Sequence, residues 1–168
     1  LAVQAPTFEP SGIVWHSRLQ EFIIVGDQGD LCTLSASGET ATCYDVGSYD
    51  LEGITIADVA SNIVYLAVEY APALLEFDLT TGALTGKSWS LSSWMTTNSS
   101  SGVEALTFVP NGDSSIVESS HGGLFYVGSQ YDGKIYVFDV DTATSGSVSF
   151  VTSFQVKSGY TDLAALSY

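Results

Sequence analysis

The stretch YDLEGITI (Tyr49–Ile56) places a carboxylate, Glu52, at the head of an apolar run that otherwise reads as a buried β-strand. GVEALTF (Gly102–Phe108) repeats the same grammar around Glu104. Two weaker echoes flank them, PSGIVWH from Pro10 and DLAALSY from Asp162. Ser11, Glu52, Glu104 and Ala164 share one position, at spacings of 41, 52 and 60 residues. A small residue follows each time, Gly12, Gly53, Ala105 or Ala165, and then an apolar one.

Each of the first three units continues alike. A second apolar run follows (Phe22–Val25, Ile63–Val68, Leu124–Val127), then a third (Leu31–Leu34, Leu74–Phe77, Ile135–Val140), then a turn and a more polar fourth run. Helical periodicity is almost absent, and Gly, Asp, Asn, Ser and Thr clusters separate the runs. Several runs are apolar at every position, as for strands sandwiched between neighbouring sheets. The fold class is therefore all-β. Four antiparallel strands in units of this size predict a β-propeller with blades at about 10–48, 49–92 and 102–157, plus one further inner strand at 161–168. First strands crowd the central axis, which accounts for the small residues.

With these motifs the chain resembles the SdiA-regulated (YjiK-like) β-propellers, whose inner strands read LSGL, PEGI and FEGL. The resemblance runs from about Pro10 to Tyr168 and implies further blades beyond this point. Propellers need about four to eight blades to close. The chain begins at Leu1 without Met, so it reads as processed or as a piece of a longer protein. Other copies of the chain, or further blades, are expected to complete the ring or extend it into an assembly.

Four Lys and Arg stand against nineteen Asp and Glu, for a formal net charge of −15. Nucleic acid and anionic membrane surfaces would repel such a chain, whereas cations, neutral sugars or a basic partner would not. The plainer reading of the acidity is solubility. No apolar run approaches the roughly 18 residues of a membrane span, so no membrane insertion is expected. Folding LCTLSASGETATCYDV about Ser37-Gly38 pairs residue i with 75 − i, which sets Cys32 opposite Cys43 and predicts a disulfide. The alternative is two buried thiols. NSS from Asn98 is a glycosylation acceptor. Together these features predict an extracellular, oxidising setting.

In a propeller Glu52 and Glu104 would enter equivalent positions near the mouth of the axial channel. Asp27, Glu69 and Gln130 end the second strands and fall near the same opening or the blade rim. Converging oxygens suit a hard cation such as Ca²⁺; the competing reading has the glutamates capping backbone N–H groups of the next blade. DQGD (Asp27–Asp30) and the pair Asp139 and Asp141 match no full calcium loop and read as turns. His16 and His121 are the only histidines, and SSHGG lacks nucleophile-elbow or triad spacing. Trp15, Trp89 and Trp94 could stack on a carbohydrate, though strand packing is the default for them. The primary expectation is a non-catalytic extracellular module for binding or self-assembly. The alternative is a calcium-dependent hydrolase or lactonase-like propeller with an axial carboxylate site.

Overall fold

The structure is a computed structural model that describes residues 8–98, 101–155 and 163–168. Twelve strands form three separate four-stranded antiparallel sheets, and no helix is present among the described residues. The first holds β1 (Pro10–His16), β2 (Glu21–Gly26), β3 (Asp30–Ser35) and β4 (Ala41–Asp45). The second holds β5 (Leu51–Thr55), β6 (Ile63–Val68), β7 (Ala73–Asp78) and β8 (Ala83–Ser90). The third holds β9 (Val103–Pro110), β10 (Gly123–Ser129), β11 (Lys134–Val140) and β12 (Val148–Gln155). In every sheet the strand order follows the chain, so each is a meander.

The apolar runs are explained by period-2 alternation between two interfaces. In β6, Val64, Leu66 and Val68 join the core shared with the first sheet, beside Ile23, Val25 and Leu31. Tyr65 and Ala67 point the other way, into the core shared with Phe125, Val127 and Phe138 of the third sheet. The middle blade is thus covered on both faces, and its first three strands are largely buried, whereas the outer strand β8 is mostly exposed and carries the polar residues.

Small residues bring the inner strands together. A Cβ on Gly12 would meet Gly53 Cα at 3.1 Å, and one on Gly53 would meet Leu106 N at 2.8 Å and Leu106 Cβ at 2.9 Å. Gly53 therefore lets the backbones of β5 and β9 approach to a distance that a methyl group would prevent. Side chains complete the seams. Thr55 Oγ1 accepts from Phe108 N at 3.0 Å, and Trp89 Nε1 donates to Thr144 O at 3.0 Å. His16 is fully buried, and its Nε2 lies 3.1 Å from Ser61 O across the first two blades.

Residues 163–168 form no ladder, because no second strand of a fourth unit lies among the described residues to pair with them. They still follow the arc of inner strands. Leu163 lies where a Cβ on Gly128 would stand, next to Ala105, and Tyr168 Oη donates to Asp113 Oδ2.

Cys32 pairs with Cys43 in the β3–β4 ladder, with Cα atoms 4.0 Å apart, and the two are joined by a disulfide. Gly38 turns this hairpin at φ +74°. Such a bond fits an oxidising environment.

Candidate metal centre

The inner strands share one irregularity that explains the glutamates in these apolar runs. Pro10 pairs with Gly26 and Gly12 with Val25, which leaves Ser11 as an extra residue. Leu51 and Gly53 pair with Val68 and Ala67, which leaves Glu52. Val103 and Ala105 pair with Ser129 and Gly128, which leaves Glu104. Each blade therefore enters the axis through a β-bulge, and a bulge re-aims the side chain of its extra residue. In the first blade that residue ties two blades together, since Ser11 Oγ donates to Leu51 O of the next blade and lies 3.2 Å from Val25 O.

A second repeated contact fixes the surroundings. The N–H groups that follow the second strands, on Asp27, Glu69 and Gln130, donate to the carbonyls of Glu9, Asp50 and Gly102 at 3.3, 2.9 and 2.9 Å. In the middle blade this bond sets Glu69 against Asp50, two residues before Glu52. Gly102 adds room, since a Cβ there would collide with the Glu69 side chain.

Asp50, Glu52 and Glu69 consequently converge, with one carboxylate oxygen of each within 4.8 Å of the others. Glu69 is buried at 6% exposure, and Asp50 and Glu52 are half-buried. Burial, then the charge of Glu104, then the hydrogen bond and charge of Asp50 push the Glu52 carboxyl up to about 8. Burial likewise pushes Glu69 up to about 7; Tyr70 opposes the rise through a hydrogen bond, and Asp50 and Glu104 reinforce it. Carboxyls this close cannot all ionise without a compensating positive charge.

The donor set fits a hard divalent cation. It consists of carboxylate oxygens alone, and two ligands at about 2.3–2.6 Å from one Ca²⁺ stand at most about 5 Å apart. Of the residues that stand out in the sequence, Glu52 and Glu69 are in this group. Glu104 acts on both through its charge from the neighbouring blade. Asp27 follows β2 of the first blade and is not one of the three, although its Oδ1 is buried without a partner. Asp50 does not stand out in the sequence; its signal is its place two residues before the bulge, where a carbonyl receives the second strand's following N–H.

The remaining candidates lie elsewhere. His121 Nδ1 sits 2.7 Å from Asp139 Oδ1, and that pairing raises the imidazole above its usual range. Ser120 Oγ is 3.5 Å from both ring nitrogens and so is aimed at neither, and no His121 atom borders the axial cavities. Asp141 accepts from Ala143 N at 3.0 Å, a turn contact. Trp89 is fully buried, while Trp15 and Trp94 are partly exposed. Asn98 is exposed and bridges to Ser101, and the other two residues of its glycosylation motif lie outside the described residues.

Three four-stranded meanders sharing inner-strand seams, with carboxylates gathered at one end of the axis, define a β-propeller with a candidate cation centre. The family profile described as "Phytase-like: Esterase-like activity of phytase" matches residues 10–167. The chain belongs to this phytase-like family; the likeness to SdiA-regulated propellers extends to the architecture and not to that family name. Among solved structures, "Structure of U3-55K" aligns with a TM-score of 0.58 at 12% identity, over 97% of this chain and 43% of that one. That likeness concerns the fold alone, and the chain spans less than half of that protein's length. No curated protein matches the chain.

Proposed function

We propose that this chain carries the calcium centre of a secreted β-propeller hydrolase that cleaves esters. The observation that carries this reading is the convergence of Asp50, Glu52 and Glu69 within 4.8 Å, with two of the three carboxyls held protonated towards neutral pH. The family description supplies the reaction class. The disulfide and the exposed Asn98 support secretion.

Asp50, Glu52 and Glu69 would hold the cation, which when bound supplies a Lewis acid for an ester oxygen. Burial of Glu69 and the backbone bond from Glu69 N to Asp50 O fix the ligand geometry before the ion arrives. Glu104, on the adjacent inner strand and at the same cavity end as Glu52, would take a proton from the attacking water. In the overall reaction the water oxygen bonds to the acyl carbon, the ester C–O bond breaks, and the alkoxide leaves with a proton. The test is release of 4-nitrophenol from 4-nitrophenyl acetate. Calcium should accelerate it and Glu52→Gln should abolish the calcium-dependent part; no calcium-dependent turnover in the wild type contradicts the reading.

A second reading, a non-catalytic module for binding or assembly, is favoured by one contrast. Ile54 and Leu106 are 4% and 3% exposed at the seams, whereas their repeat equivalent Ile13 is 62% exposed on the flank of the first blade. A further blade or a second copy would cover it. Light scattering on the purified chain separates the two, since a monodisperse 17.7 kDa species at micromolar concentration excludes self-association.

A further inference from the structure

Two cavities follow the axis end to end. One, of about 530 Å³, opens at Glu52 and Glu104; the other, of about 420 Å³, ends at Trp15, Phe108 and Tyr168. Both are walled by Ile13, Ile54, Leu106 and Leu166, so they form one groove. Along β9, from Glu104 to Pro110, that groove is about 20 Å long at the rise of an extended strand.

We propose that this groove takes an uncharged ester with an apolar acyl group, laid against Ile13, Ile54 and Leu106 towards Trp15, and turns away polyanionic phosphate esters. The inference rests on the carboxylate centre being an ester-hydrolysing site and names the substrate class of that site.

Charge carries the first half of the argument. Four carboxyl groups, those of Asp50, Glu52, Glu69 and Glu104, gather at one end of the groove, two more than one divalent ion can balance, in partly buried surroundings where an incoming anion is repelled. No Lys or Arg lines either cavity among the described residues. Among the described cations Lys87 is paired with Glu76 and Lys134 with Asp132, while Arg18 does not line the groove and is held beside its far end by the carbonyls of Val59 and Ser61. Asp58 adds a further acid at the far end. A phosphate monoester brings about two more negative charges and meets no Lys or Arg at the carboxylate end among the described residues. Apolar walls carry the second half. Each methylene buried there tightens binding by about fourfold, the equivalent of about 0.8 kcal/mol.

The test is stopped-flow quenching of tryptophan fluorescence by 4-nitrophenyl butyrate, 4-nitrophenyl octanoate and 4-nitrophenyl phosphate, which share one quenching group. It is run with and without calcium. The octanoate should bind at least tenfold more tightly than the butyrate, and the phosphate should show no saturable quenching. Trp15→Phe should remove the signal. Ile13→Lys, at an exposed wall position, should weaken octanoate binding and admit the phosphate. Phosphate binding as tight as the butyrate, no dependence on chain length, no saturable quenching by any ester, or an unchanged signal in Trp15→Phe each overturns the proposal. Failure of the calcium centre would appear separately, as a melting temperature indifferent to calcium.

Discussion

Replacing Glu52 with Gln should change how stability depends on pH, and the sign follows from the carboxylate cluster. In the cation-free chain Glu52 titrates at about 8 and Glu69 at about 7, against 4.5 in the unfolded chain. Between pH 4.5 and 8 the folded state therefore holds protons that the unfolded state has released, and stability falls as pH rises through that window. Below pH 4.5 both states are protonated and the contribution is fully present. At about 1.4 kcal/mol per pH unit, and after allowing for solvent screening and for charge shared among the neighbours, Glu52 accounts for on the order of 2–3 kcal/mol of that fall. For a chain of this length the corresponding change in melting temperature is roughly 4–12 °C. Thermal unfolding followed by circular dichroism in EDTA, from pH 5 to 8.5, reads it directly. The wild type should lose stability across the range, and Glu52→Gln should remove the Glu52 share of the loss, keep the part due to Glu69, and be the more stable protein at pH 8.5. Calcium at pH 8 should raise the melting temperature of the wild type by mass action and leave the variant nearly unmoved. A flat wild-type profile, or an equal fall in the variant, would refute the reasoning.

Other perturbations test the frame around the site. Gly53→Ala places a methyl group 2.8 Å from Leu106 N, so it should push β5 from β9 and cost about 1–3 kcal/mol in denaturant unfolding. Cys32→Ser with Cys43→Ser should cost roughly 2–3 kcal/mol, and non-reducing peptide maps of the wild type should show the two cysteines in one linked species. Lys87→Met leaves Glu76, 4% exposed, without its cation, and should destabilise the chain by about 1–3 kcal/mol in denaturant unfolding at pH 7.

Much of the frame is legible in the sequence because it follows short-range rules. The Cys32–Cys43 register comes from a short loop closed by Gly38 N donating to Ser35 O, and the doubly apolar strands announce sheets on both sides. The small residues at 12, 53 and 105 mark the crowded axis. That same crowding limits what the motif can identify. Any propeller needs a small residue there, so the likeness to SdiA-regulated propellers carries the architecture while the family match is phytase-like. The site is half legible. Glu52 and Glu104 stand out as acids in apolar strands, but the reason is a bulge, and one extra residue leaves no trace in an alternation pattern. Asp50 escapes because an acid before a strand reads as turn chemistry. It becomes a candidate ligand only through the backbone bond that draws Glu69 beside it.

The account stands most directly on calcium titration calorimetry of the wild-type chain at pH 7, repeated in two buffers of different ionisation enthalpy. Asp50, Glu52 and Glu69 should bind one calcium ion per chain with release of about one proton, because the ion replaces protons that the cluster holds near neutrality. Glu52→Gln should lose both the binding heat and the proton release. Binding with no proton release, binding unchanged in Glu52→Gln, or no binding heat in the wild type would contradict the assignment of this cluster as the cation centre.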